Sequence, residues 1–169
     1  LEVAGGLAQF LFGYRRGRII NNKIESKTGR NFVRICGAEI SGASITLLVA
    51  EINEDRNIAV DKQASTKITM GKTQDDVRRF LRDAKAFIEN QKIEAIKIKG
   101  RAGRGQYAGG AIGFKIEALL ESVDNCEVSS ISPNGISSRK KKNGWDYPND
   151  LFQYQHTPFD VLMAGFFHQ

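Results

Sequence analysis

Only two cysteines, Cys36 and Cys126, and two histidines, His156 and His168, occur in this chain, and their scarcity removes several chemistries at once. Two cysteines cannot build a four-cysteine zinc site, they suit a disulfide framework less well than burial as small hydrophobes, and neither histidine stands near them in sequence. Both cysteines fall in apolar, strand-like surroundings and read as small hydrophobes, so a reducing, cytoplasmic setting is expected. The histidines have no partner at metal-ligand or nucleophile–base spacing, and neither is assigned a role. Long apolar runs are missing as well. Nothing approaches the length of a membrane span, so no membrane partner is expected. Leu7–Phe12 is apolar, but basic residues follow it rather than precede it, the reverse of a secretory signal.

What remains is an ordinary globular composition. The 169 residues suffice for one substantial core and are short for two; 41% are hydrophobic and 26% charged. The net charge of +6 is unevenly placed: residues 1–31 contribute +4 and the body only +2. The basic character therefore belongs mostly to the N-terminal stretch and is weak evidence that the body binds nucleic acid. We read residues 1–31 as an extension and 32–169 as one domain. In the extension Leu7, Phe10, Leu11 and Tyr14 have amphipathic helical spacing, followed by Arg15, Arg16 and Arg18. The extension is expected to pack on the domain or on a second copy, or to be partly foreign to the native protein.

The domain is organised around Phe32–Asn53. Two runs rich in β-branched and apolar residues flank Ser41-Gly42-Ala43, which predicts a tight hairpin with Gly42 free to take a positive φ. Glu39 breaks the first run, a carboxylate that is costly to bury unless paired or bound to a cation. Further on, Ile58–Val60 and Thr66–Met70 read as strand pieces on the same sheet edge. Thr73 and Asp76 have capping-box spacing for a helix whose apolar face runs Val77, Phe80, Leu81, Ala84, Phe87, Ile88. Its Arg78, Arg79, Arg82 and Lys85 are either a nucleic-acid stripe or the wet side of a packed helix. Ile93–Lys99 is strand-like, Gly100–Gly110 a glycine-rich loop, and the helix after it presents Ile112, Ile116, Leu119, Leu120 and Val123 to the core. Cys126–Ile131 is a further strand and Pro133 opens a short helix or turn ending in Arg139–Lys142. Thr157 is expected to cap a last helix with Pro158 at its first position. The order predicts an α/β domain: a mixed sheet, antiparallel in its first three strands and then parallel, with helices on both faces.

Strand order and the late acid resemble the ribonuclease-H-like fold. Val33-Arg-Ile-Cys-Gly-Ala-Glu39, Tyr107–Glu117 and Ile131–Ile136 resemble a family of small bacterial proteins without a settled function, itself related to the Holliday-junction resolvases. The resemblance covers roughly residues 32–169. It implies three or four carboxylates, from the first strand, the fourth strand and the last helix, holding two Mg²⁺ or Mn²⁺ ions for phosphodiester hydrolysis. Such hard ions take oxygen ligands, and a two-metal clamp needs a bridging carboxylate. Carried over, the first-strand acid is Glu39 and the last-helix acid Asp160, which would be both catalytic and metal-binding. At the fourth strand the chain has Lys99-Gly100-Arg101 where an acid is expected. Glu117 is then either a catalytic stand-in or a solvent-facing helix residue. Asp160 has a second reading as the acid of a Thr157 capping box, and Glu39 as an ion-pair partner of Lys99 or Arg101.

The glycine-rich loop carries Arg101, Arg104 and Tyr107 ahead of a helix N-terminus, where backbone N–H groups and arginines suit a phosphate and the ring suits a base. It lacks the Gly-Lys-Ser/Thr ending of a P-loop. With Lys140 and Lys141, these residues are the candidate contacts to structured DNA or RNA. The expected function is a resolvase- or nuclease-like nucleic-acid-binding domain with an incomplete divalent-metal site. The alternative is a non-catalytic interaction module or homodimer, using the extension and the aromatic Trp145–Tyr154 segment.

Overall fold

The computed structural model describes residues 32–55, 57–101 and 110–166. The N-terminal extension, Arg104 and Tyr107 lie outside the described residues. Strands β1 (Val33–Ser41) and β2 (Ser44–Ile52) form the expected hairpin, with Ser41 paired to Ser44 and Gly42 at φ +58°. Then follow β3 (Ile58–Thr69), α1 (Gln74–Gln91), β4 (Ile93–Lys99), α2 (Ala111–Glu121), β5 (Glu127–Ile131), α3 (Pro133–Asn143) and α4 (His156–Phe166). The sheet order is β3-β2-β1-β4-β5: antiparallel across the first three strands, parallel from β1 through β4 to β5. This is the ribonuclease-H-like topology.

The two faces of the sheet bury different helices. Cys36, Ala38 and Ile40 of β1 join Phe80, Ala84 and Ile88 of α1 and Ile116 and Leu120 of α2 in one apolar cluster. Ile35 joins Phe159, Val161 and Leu162 of α4 and Ile136 of α3 in the other. Because side chains alternate along a strand, Gly37 and Glu39 share the α4 face with Ile35. On β4 the same logic puts Lys97 and Lys99 on that face with Ala95. Gly37 is what lets α4 lie close. A Cβ there would collide with the carbonyl oxygen of Pro158 and the backbone of Leu162.

Two local features differ from expectation. The two pieces of the third strand are one strand, because a bulge joins them. Val49 pairs with Asp61 but Leu47 pairs with Thr66. Asp61 Oδ1 accepts from Ala64 N at 3.0 Å, and the Ser65 hydroxyl accepts from Val49 N at 3.0 Å while donating to Asp61 O. Polar side chains close the ladder there, so period-two alternation vanishes from the sequence. The final helix starts at His156 rather than after Thr157. A single tight turn, Gln153–Gln155, runs straight into it, and Gln155 Oε1 accepts from Phe152 N at 3.1 Å. Thr157 is therefore not the cap, and Asp160 is not the acid of a capping box. The Thr73–Asp76 box of α1 does form, with both reciprocal bonds at 3.1 Å.

Both cysteines are free. Burial pushes the Cys36 thiol far above the usual range and Cys126 up to about 11, which leaves both as unreactive thiols. Among the described residues no helix is long and apolar enough to cross a membrane.

Candidate nucleic-acid interface

Glu39 and Lys99 end adjacent parallel strands. Ala38 is level with Ile98, so the next residues of β1 and β4 stand side by side on the α4 face. Lys99 Nζ donates to Glu39 Oε1 at 3.0 Å, and the pair is partly open to solvent, with the side chains 36% and 26% exposed. Of the two partners anticipated for Glu39, Lys99 is the one used. Arg101 goes elsewhere.

Arg101 folds back along α2 and donates from Nη2 to Glu117 Oε2 at 2.8 Å. Its guanidinium lies 4.4 Å from the Phe114 ring centroid, and Gly113 makes room for it, since a Cβ there would strike Nη1. Glu117 is thus neither a solvent-facing helix residue nor a neighbour of Glu39 by any contact the structure records. It is a mostly buried counter-ion for Arg101. Arg101, Phe114 and Glu117 line a cleft of about 450 Å³ with Ser130 and Asn134, between the start of α2 and the start of α3.

Asp160 sits in a third place. Pro158 and Leu162 are the residues of α4 that abut Gly37 on the sheet. At about 100° per residue, Asp160 projects roughly opposite to them, away from β1. Its Oδ1 accepts from Trp145 Nε1 at 2.8 Å and from Lys140 Nζ at 2.9 Å; its Oδ2 accepts from Tyr147 Oη at 2.7 Å and from Lys140 at 3.1 Å. Lys140 also donates to the Tyr147 hydroxyl, and His156 stacks on the Tyr147 ring at 3.9 Å. The side chain of Asp160 is only 17% exposed. The network clamps the Gly144–Asp150 segment and α3 onto α4, and Arg139 adds a bond from Nη1 to Ala164 O at 2.6 Å.

These surroundings move two titrations the same way. Burial opposes the charge on Lys140, but hydrogen bonds with Tyr147 and Asp160 and the Asp160 charge outweigh it and raise the ammonium above its usual 10.5. Burial, helped by the Asp160 carboxylate, raises the Tyr147 phenol above 10.0 against the pull of Lys140. Both groups keep their protons more firmly folded than unfolded. Their stabilisation is complete below the unfolded values and is lost as pH rises through the folded ones. Stability measured by urea titration at successive pH values is expected to hold through neutrality and fall above about pH 10, and Lys140→Met should remove much of that fall.

The three acids expected to be catalytic, two of them also metal ligands, therefore lie in three separate pairings. Among the described residues no group of three or more His, Cys, Asp or Glu could hold a metal ion. A hard divalent cation needs several oxygen donors free to turn toward it. Here one carboxylate is met by an ammonium at 3.0 Å and the other has both oxygens committed to nitrogen and hydroxyl donors. The donor set does not fit a divalent-metal centre.

The basic candidates divide similarly. Lys141 is exposed on the last turn of α3. On α1, Arg78, Arg79 and Arg82 are exposed and pair with Asp75, Asp76 and Asp83 of their own helix, so that stripe is a wet helix face. Trp145 and Tyr147 were not anticipated as partners of Asp160. Their only sequence signal is two large aromatics with polar tips in a loop, which when buried usually find a hydrogen-bond partner.

Residues 33–165 match the family model described as "Protein of unknown function (DUF3010)". The chain belongs to that family. None of the curated proteins matches it by sequence. Among solved structures it is similar to RuvC of Thermus thermophilus, with TM-score 0.58 and 7% identity, over 78% of this chain and 92% of that one. It is similar also to T. thermophilus RuvC in complex with Holliday junction substrate, with TM-score 0.54 and 9% identity over 78% and 91% of the two chains. At these identities the likeness is one of fold.

Proposed function

We propose that this domain binds structured DNA or RNA on a resolvase-like scaffold and does not cut it. The observation that carries the reading is the pairing of each implied acid with a lysine: Glu39 with Lys99, and Asp160 with Lys140. On a scaffold similar to that of a Holliday-junction-binding protein, those pairings leave neither Glu39 nor Asp160 free to collect a cation. Lys99 at the strand ends and Lys141 on α3 are the proposed contacts to the sugar–phosphate backbone, whereas the three N–H groups of Lys140 are already taken by Tyr147 and Asp160. Arg104 and Tyr107, outside the described residues, are the proposed phosphate and base contacts.

The test is binding of the full chain to a four-way DNA junction, an RNA–DNA hybrid and single strands, across salt and with either EDTA or Mn²⁺. Affinity is expected to fall steeply between about 50 and 200 mM salt, as phosphate-driven association does, with the strands left intact in Mn²⁺. Cleavage in Mn²⁺ that Glu39→Ala removes would establish an enzyme instead.

A second reading has its own observation. Phe152 and Tyr154 are 59% and 60% exposed and stack on each other at 5.7 Å, with Lys62 beside Phe152. Such a surface pair favours an interaction module, including a homodimer. A protein that ignores every nucleic acid above and sediments as a dimer would favour it.

A further inference from the structure

The two strand-end residues can do more than cancel each other. A lysine ammonium has three N–H donors, and for Lys99 the one hydrogen bond found among the described residues is that to Glu39. The side chain keeps 36% of its surface open, so donors remain for an outside acceptor. Its direction is fixed by Glu39, which is itself held on β1 between β2 and β4, opposite Thr46 in the hairpin register. The Glu39 carboxylate is met by an ammonium rather than by further oxygen donors, a donor set that does not fit a divalent metal. A carboxylate and a partly exposed ammonium stand there instead.

We propose that Lys99, aimed by Glu39, is a phosphodiester-binding site in which an ammonium does the electrostatic work of a divalent cation. Glu39 is a positioning residue and Lys99 the group that meets the phosphate oxygen. Binding at this site needs no divalent metal. An ammonium supplies one charge and no Lewis-acid activation of water, so it holds a backbone without promoting attack on it. The nucleic-acid part rests on the function proposed above; the exclusion of metal does not.

Two measurements separate them. In the first, Mn²⁺ is titrated into the full chain without nucleic acid and followed by electron paramagnetic resonance. The wild-type chain is expected to leave the free-ion signal undiminished. Lys99→Glu places a second carboxylate beside Glu39 and should bind Mn²⁺ at least about tenfold more tightly, a gain that adding Glu39→Gln removes. Should Lys99→Glu fail to show a native melting transition, Lys99→Asp, which also sets a second carboxylate beside Glu39, is read in its place with a gain of the same sign. Uptake of Mn²⁺ by the wild type that Glu39→Gln abolishes would overturn the proposal, as would no gain in either lysine variant.

In the second, junction affinity is measured in EDTA. Lys99→Met should reduce the salt slope by about 0.9, the value of one phosphate contact, and Lys99→Arg should restore it. Glu39→Gln, with the ammonium still present but no longer aimed, should weaken binding less than Lys99→Met. Equal affinity and slope for Lys99→Met and wild type would also overturn the proposal. If no nucleic acid binds at all, the functional reading and the phosphate role fail together, while the Mn²⁺ titration still decides whether the ammonium excludes metal.

Discussion

Replacing Gly37 with alanine is expected to cost about 3 kcal/mol of folding stability, the upper end of what overpacking usually does. The new methyl carbon would lie 2.7 Å from Leu162 Cβ and 2.8 Å from Leu162 N, and closer still to the Pro158 carbonyl oxygen. Two of those atoms are helix backbone, so no side-chain rotation relieves the clash. Either α4 lifts from the sheet or β1 bends. Lifting would open the contact between Phe159, Val161, Leu162 and the β1, β2 and β4 residues beneath them, all now fully buried or nearly so. Gly42→Ala is the control. Its Cβ meets nothing within 4 Å, but its φ of +58° puts an L-residue in the left-handed region, at a cost of about 1 kcal/mol. Urea midpoints compared at equal slopes measure both. A Gly37→Ala change no larger than that of Gly42→Ala would mean that α4 is not held against β1 as described.

Gly37 also shows where the sequence was readable and where it was not. The hairpin was legible because Val33–Ser41 and Ser44–Ile52 carry their own β-branched pattern and a turn glycine between them. The Thr73–Asp76 cap and the α1 face were legible for the same reason: each is written within a few residues. Gly37 carries no local sign of its role, since the partner that requires it lies more than a hundred residues along the chain. The site followed the same rule. The Glu39–Lys99 pair could be anticipated, because two strand ends implied by topology meet at a known register. Asp160 could not be placed, because its environment depends on where the tight turn Gln153–Gln155 starts the helix. A change in that phase by one residue would swing the carboxylate by about 100°. Glu117 was ambiguous for a related reason. Its partner Arg101 comes from the end of β4, and only the packing of α2 brings the two within 2.8 Å.

Asp160 gives the second large effect, and its sign distinguishes a structural acid from a metal ligand. Carboxylates gathered to hold cations repel one another without the metal, so removing one leaves stability unchanged or raises it. Asp160 has the opposite surroundings: an ammonium, an indole N–H and a phenol O–H all point at it. Asp160→Ala leaves the Lys140 charge without its carboxylate and withdraws an acceptor from two aromatic donors. Breaking one side of a buried ion pair costs about 3–5 kcal/mol. Because Lys140 is a third exposed, solvent recovers part of that, and about 3 kcal/mol is expected. Asp160→Asn keeps one oxygen for a donor but loses the charge, so roughly half that loss should remain, about 1.5 kcal/mol. A local readout accompanies the global one. Trp145 is the single tryptophan in the chain and is buried, so loosening the Gly144–Asp150 segment shifts its emission to the red. Asp160→Asn with stability at or above wild type and unchanged emission would reassign the residue to a site that needs its charge for something other than holding α3 and the Trp145 loop on α4. A loss of stability with red-shifted emission, and no change in junction binding per folded molecule, would place Asp160 in the scaffold and leave Lys99 as the strand-end contact to the phosphate backbone.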